Sequence, residues 1–131
     1  MLSEASALRD SVSKWTITMI TFNDFQKIEI KVGGILSAEK VGGSEKLLKL
    51  SVDFGEEAPR QVISGIAKTF MDQQILVGKQ FLFVTNLEPR KIMGLESQAM
   101  ILATHKKIKD DSEEIVLMKP VKKVLNGSRL G

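Results

Sequence analysis

The stretch KIEIKVGGILSAEKVGGSEKLLKLSVDF (residues 27–54) decides the architecture. Its first part alternates strictly, so an extended chain puts Ile28, Ile30 and Val32 on one face. Leu48, Leu50, Val52 and Phe54 alternate in the same way, with Lys49, Ser51 and Asp53 pointing outward. Between them, Gly33-Gly34 interrupts an apolar run that resumes at Ile35, Leu36 and Ala38. Paired glycines inside a strand mark a bulge or sharp bend, where one long strand coils around a barrel. Gly42-Gly43-Ser44 is the turn between the two strands.

Working outward, strands are expected to begin from Phe22, and Gly55 to Pro59 forms a hairpin loop. Arg60 to Ser64 is a short third strand, and residues 71–77 suit a brief helix closed by Gly78. Residues 80–86 are apolar almost throughout, as a strand covered on both faces would be, with Phe81 and Phe83 in the core. Pro89 forces a loop. Residues 97–104 give a fifth strand, Ala99, Ile101 and Ala103 alternating against Met100 and Leu102. After a polar connection, Glu114 to Met118 makes one more strand. Leu2, Ala5, Leu8, Val12 and Trp15 form the stripe of an N-terminal amphipathic helix. The expected fold is all-β: a five-stranded OB-fold barrel with one short helix between strands 3 and 4, a C-terminal strand extension and an N-terminal helix. Residues 1–20 form the helical extension and residues 21–131 the barrel domain.

Composition narrows the chemistry. The 131 residues contain no cysteine and a single histidine, His105, which excludes thiolate and His-pair metal sites and most triad chemistry. No P-loop or nucleophile elbow is present. Asp53, Glu56 and Glu57 share a hairpin loop, a poor setting for a carboxylate catalyst. No catalytic residue, metal or cofactor is therefore expected. No apolar run approaches the roughly 20 residues of a membrane helix, so no membrane partner is expected and the expected compartment is the cytoplasm. Net charge is only +3, yet Lys46, Lys49, Arg90, Lys91, Lys106, Lys107 and Lys109 fall in clusters. Aromatics are scarce at 5%, so stacking on single-stranded bases has few platforms.

Several segments carry a resemblance to the tRNA-binding domain family found beside aminoacyl-tRNA synthetases: Lys31-Val32-Gly33-Gly34-Ile35, Gly43-Ser44-Glu45-Lys46-Leu47, Val62-Ile63-Ser64-Gly65-Ile66-Ala67, and NLEPRKIMGLESQAMIL from Asn86 to Leu102. That family includes C-terminal appendages of methionyl-tRNA synthetase and small free-standing proteins. Lys31 stands where the family commonly has Arg, and Ala99 where it usually has Gly. The resemblance implies recognition of tRNA shape, delivery to a synthetase, and a homodimer made through the C-terminal half. It also implies a tRNA-binding site, for which the candidates are Lys31, Lys46, Lys49, Asn86, Arg90, Lys91, Ser97 and Met100. The lysines and arginine would displace counterions from phosphates. Asn86 and Ser97 would read base edges or 2′-hydroxyls, or else cap their own loops, and Met100 would lie under a base or, the reading favoured by its type, fill the core. The Met start and the early end favour a free-standing protein over a detached appendage. A chaperone-like dimer that binds peptides is the alternative from another class.

Overall fold

The computed structural model describes residues 18–110 and 112–131. The helix expected over Leu2 to Trp15 lies outside the described residues. The elements run β1 (Ile30–Lys40), β2 (Leu48–Asp53), β3 (Arg60–Ser64), a 3-10 turn (Gln73–Leu76), β4 (Gln80–Val84), β5 (Arg90–Ile92), β6 (Leu95–Ser97), β7 (Met100–Ile101), β8 (Ala103–Lys107) and β9 (Glu113–Leu117). A five-stranded antiparallel sheet in the order β3-β2-β1-β4-β7 curls into a nearly closed barrel.

β1 is the hub. Its residues 30–34 pair with β4 and its residues 34–40 with β2, so it must bend between two partners. The bend sits at Gly33-Gly34 and at a register shift between Ile35 and Ser37. A Cβ at Gly33 would stand 2.5 Å from Val52 Cγ1 and 2.6 Å from Phe54 Cε1, so the core reaches β1's backbone only because none is there. Leu48, Leu50, Val52, Val62, Ile35 and Phe83 are fully buried, and Phe54 meets Phe83 edge to face at 5.1 Å.

Side chains complete the closure between β3 and the last part of the barrel. The Gln61 amide donates to Gln98 Oε1 (2.8 Å) and the Ile63 amide to Ser97 Oγ (3.0 Å), while the Gln98 amide donates to the Gln61 carbonyl (2.8 Å). For this reason the continuous strand expected over residues 97–104 is broken. Ser97 and Gln98 offer side-chain groups where a ladder would offer backbone, and the chain divides among β6, β7 and β8.

Two further expectations are corrected. Phe22–Gln26 is a short helix, α1, not a strand; Thr21 and Asp24 close a capping box at its start. Ile28 is left exposed and the strand begins at Ile30. The helix expected over residues 71–77 shortens to the 3-10 turn, ended by Gly78 at φ +85°. The apolar strand near the C-terminus finds its neighbour within the chain: β9 pairs with β8, and Ile115 and Leu117 pack on the core. Beyond it, residues 127–130 hydrogen-bond to Ile30 and Val32, on the edge of β1 that β2 leaves bare.

Candidate nucleic-acid interface

The candidate site starts with the β1–β2 turn. Gly43 takes φ +85°, and Ser44 Oγ accepts from the amides of Lys46 (3.2 Å) and Leu47 (3.3 Å). This fastens the backbone and leaves the Lys46 side chain in solvent. Opposite stands a hairpin of β5 and β6, whose two-residue turn, Met93-Gly94, has positive φ at both positions (+49° and +80°). Arg90 and Lys91 therefore lie on a paired strand rather than in the irregular loop expected after Pro89. The two structures meet: a Cβ at Gly43 would stand 3.7 Å from the Met93 ε-methyl. The turn that carries Lys46 thus adjoins the tip of the hairpin whose first strand carries Arg90 and Lys91, two successive residues whose side chains leave opposite faces of the ribbon. Among the described residues none of the three makes an ion pair, although Lys91 is in register with Glu96.

Arg90, Ser97 and Met100 line one small cleft of about 60 Å³, together with Ser64, Leu87 and Ile92. Met100 is 44% exposed and is not core filling. Lys49 lies on the outer face of the sheet and helps line a shallow depression of about 320 Å³ with Ser37, Ser51, Gln61 and Gln98. Its ammonium is 3.8 Å from Glu39, a partly exposed and weak pair.

The other candidates sit apart from the loops or are engaged in the fold. Lys31 is half-buried, its ammonium pairs with Glu29 at 3.6 Å, and its backbone forms an antiparallel β-bridge with Arg129. Asn86 is exposed, but its Oδ1 accepts from the Glu29 amide (2.9 Å) and its Nδ2 donates to the Lys27 carbonyl (2.6 Å). Ser97 is 7% exposed; its hydroxyl accepts from Ile63 and donates to the Ala99 carbonyl (3.0 Å). These are structural tasks, and base reading by Ser97 needs a hydroxyl that the barrel seam already holds.

Away from the loops, Arg60 grips Glu56 with two nitrogens (2.9 and 2.7 Å) and donates to the Thr85 and Gln98 carbonyls. That bonding holds the Glu56 carboxyl below its ordinary range. A hydrogen bond from Thr85 Oγ1 (2.6 Å) acts likewise on Glu29, helped by Lys31. Sequence reasoning missed Lys40 and Lys68. Both line a depression beside Ser44 and Met71, and the Lys46 carbonyl accepts from the Ala67 amide next to Lys68 (2.9 Å). No local signal in the sequence announces that contact.

The family described as "Putative tRNA binding domain" matches residues 30–129, most of the chain. The chain belongs to this tRNA-binding domain family. It is 38% identical over 128 residues to a methionine–tRNA ligase from Methanosarcina mazei, covering 97% of this chain and 17% of that one. The tRNA-binding domain thus spans about a sixth of the length of that relative. Among solved structures, a MetRS-related protein from Pyrococcus horikoshii is similar at TM-score 0.74 and 36% identity, covering 86% of this chain and 98% of that one. The chaperone CsaA from Bacillus anthracis is similar at TM-score 0.72 and 25% identity, covering 87% of this chain and all of that one.

Proposed function

We propose that this domain binds folded tRNA at the loop end of its barrel and holds it for an aminoacyl-tRNA synthetase, methionyl-tRNA synthetase above all. The observation that supports the reading is the meeting of the β1–β2 turn with the tip of the β5–β6 hairpin, elements that carry Lys46, Arg90 and Lys91, none of which forms an ion pair among the described residues. Such cations attract phosphates and release their counterions. Phe81 and Phe83 are buried, which leaves tRNA shape a better target than stacked single strands. The domain contributes by tethering, which raises the local concentration of tRNA near a catalyst, and performs no chemistry itself. Fluorescence anisotropy with folded tRNA, unfolded single strand and duplex DNA tests this. Tightest binding to folded tRNA is expected; equal binding to all three would refute shape recognition.

The cytoplasm is the proposed compartment; among the described residues no helix is long and apolar enough to cross a membrane. A homodimer is also proposed. Phe22, Phe25, Ile28 and Leu130 surround a cleft of about 400 Å³, and Phe22 is 70% exposed, an apolar surface that a second copy would cover. Likeness to CsaA, a chaperone, supports one second reading, a peptide-binding dimer. That reading requires peptide binding insensitive to salt and no tRNA complex.

A further inference from the structure

Beyond β9 the chain returns across the outside of the barrel as a strap. The Met118 carbonyl accepts from Leu82 (3.0 Å), Val124 exchanges hydrogen bonds with the Gln80 side chain, and Asn126 reaches Gln80 (2.8 Å) and Asp53 (3.2 Å). The backbone is therefore held at both ends of residues 119–125, while Lys119, Lys122 and Lys123 stand in solvent. Residues 115–131 contain Lys119, Lys122, Lys123 and Arg129 and no acidic residue. Lys79, next to Gln80 at the start of β4, is likewise exposed. Among the described residues, none of Lys79, Lys119, Lys122 and Lys123 forms an ion pair. The adjacent acid, Asp53, is already engaged by the Asn126 amide and the Gly55 N–H.

The position of the strap is as informative as its charge. Lys49, Ser51 and Asp53 project outward in succession on β2, and Asn126 covers the last of them. One surface thus runs from the loop end down to the strap. From Leu48 to Asp53 it covers five residue steps, about 17 Å at roughly 3.3 Å each. A ligand touching both ends has to be a long polyanion, which a folded RNA is and a mononucleotide is not.

We propose that Lys122 and Lys123, with Lys119 on the same strap, are a second set of phosphate contacts, so that one tRNA is held at both ends of the outer face. This deepens the reading of the domain as a tRNA binder and rests on it. Val121 and Leu125 are 99% and 84% exposed, the apolar surface a protein partner would use, but an acid-free run of lysines favours RNA.

The test is a salt titration of tRNA affinity for the full chain, comparing wild type with K122A/K123A and K46A/R90A. The strap lysines are exposed and unpaired, so K122A/K123A should melt like wild type. Losing two phosphate contacts makes the slope of log affinity against log salt shallower by about 1.5. If the two lines converge near 1 M salt, that slope difference is a loss of roughly 15-fold at about 0.15 M. Wild-type slope and affinity in K122A/K123A, beside a weakened K46A/R90A, would overturn the strap site and leave the functional reading intact. The same would hold if K122A/K123A lost only a synthetase partner, which would make the strap a protein-docking surface. No tRNA binding by wild type would remove the functional reading, and the strap with it.

Discussion

Replacing Ser97 by Ala separates a structural hydroxyl from an RNA contact. The Ser97 Oγ receives the Ile63 amide at 3.0 Å and donates to the Ala99 carbonyl at 3.0 Å, in a setting 7% exposed. Alanine fits the space but leaves a buried N–H on β3 with no acceptor. Such an orphan costs about 1–3 kcal/mol, and about 2 kcal/mol is expected at this site. With a urea m-value near ~2 kcal/mol/M, the unfolding midpoint falls by about 1 M and the slope of the transition stays the same. The thermal midpoint falls by roughly 8 °C, at about 4 °C per kcal/mol for a domain of this size. The tRNA titration, run well below the new midpoint, should keep the wild-type salt slope. Unchanged urea and thermal midpoints together with a tenfold loss of tRNA affinity would refute the reasoning and return Ser97 to the binding surface.

Three further outcomes are expected. Gly127 has φ +94° and its missing Cβ would press on the Phe54 carbonyl oxygen, so Gly127→Ala should cost about 2 kcal/mol or more and expose the strap to trypsin; wild-type melting would contradict this. Because Glu29 and Glu56 are held below the ordinary carboxylate range, the stability they supply is present above about pH 4.3 and is lost as pH falls through their folded values. Urea midpoints should therefore decline below that pH, less steeply in Glu56→Gln; identical profiles would remove Glu56 from the account. Phe25→Glu should yield monomers in sedimentation, and an unchanged mass would place any dimer contact elsewhere. Removing residues 106–131 would not isolate the contact, because it also strips away Ile115 and Leu117, which pack against the core.

Much of the barrel was legible because its signals are local. Leu48, Leu50 and Val52 alternate with period two and are all buried, and the Gly33-Gly34 bend lies where β1 exchanges partners. The sequence order of strands put Lys46 beside the β1–β2 turn, but the loop expected around Arg90 is the paired strand β5. What escaped depends on contacts between distant residues. The alternation of Ile28, Ile30 and Val32 masks the Thr21–Asp24 capping box just before it. The break in residues 97–104 arises from Ser97 and Gln98 bonding β3, more than 30 positions away. Arg60, which ties Thr85 to Gln98, reads in sequence as an ordinary outward cation at a strand end. The strap is set by the fit of Asn126 against Gly34 and of Gly127 against Phe54, which no spacing reveals.

The most direct test is the salt dependence of tRNA affinity for wild type beside K46A/R90A/K91A, three substitutions on the β1–β2 turn and the hairpin that meets it. A common phosphate-binding surface predicts a slope shallower by about 2 to 3 and a marked loss of affinity at low salt, with the fold intact. Superimposable titrations for the two proteins would show that tRNA, if it binds at all, does not meet this face.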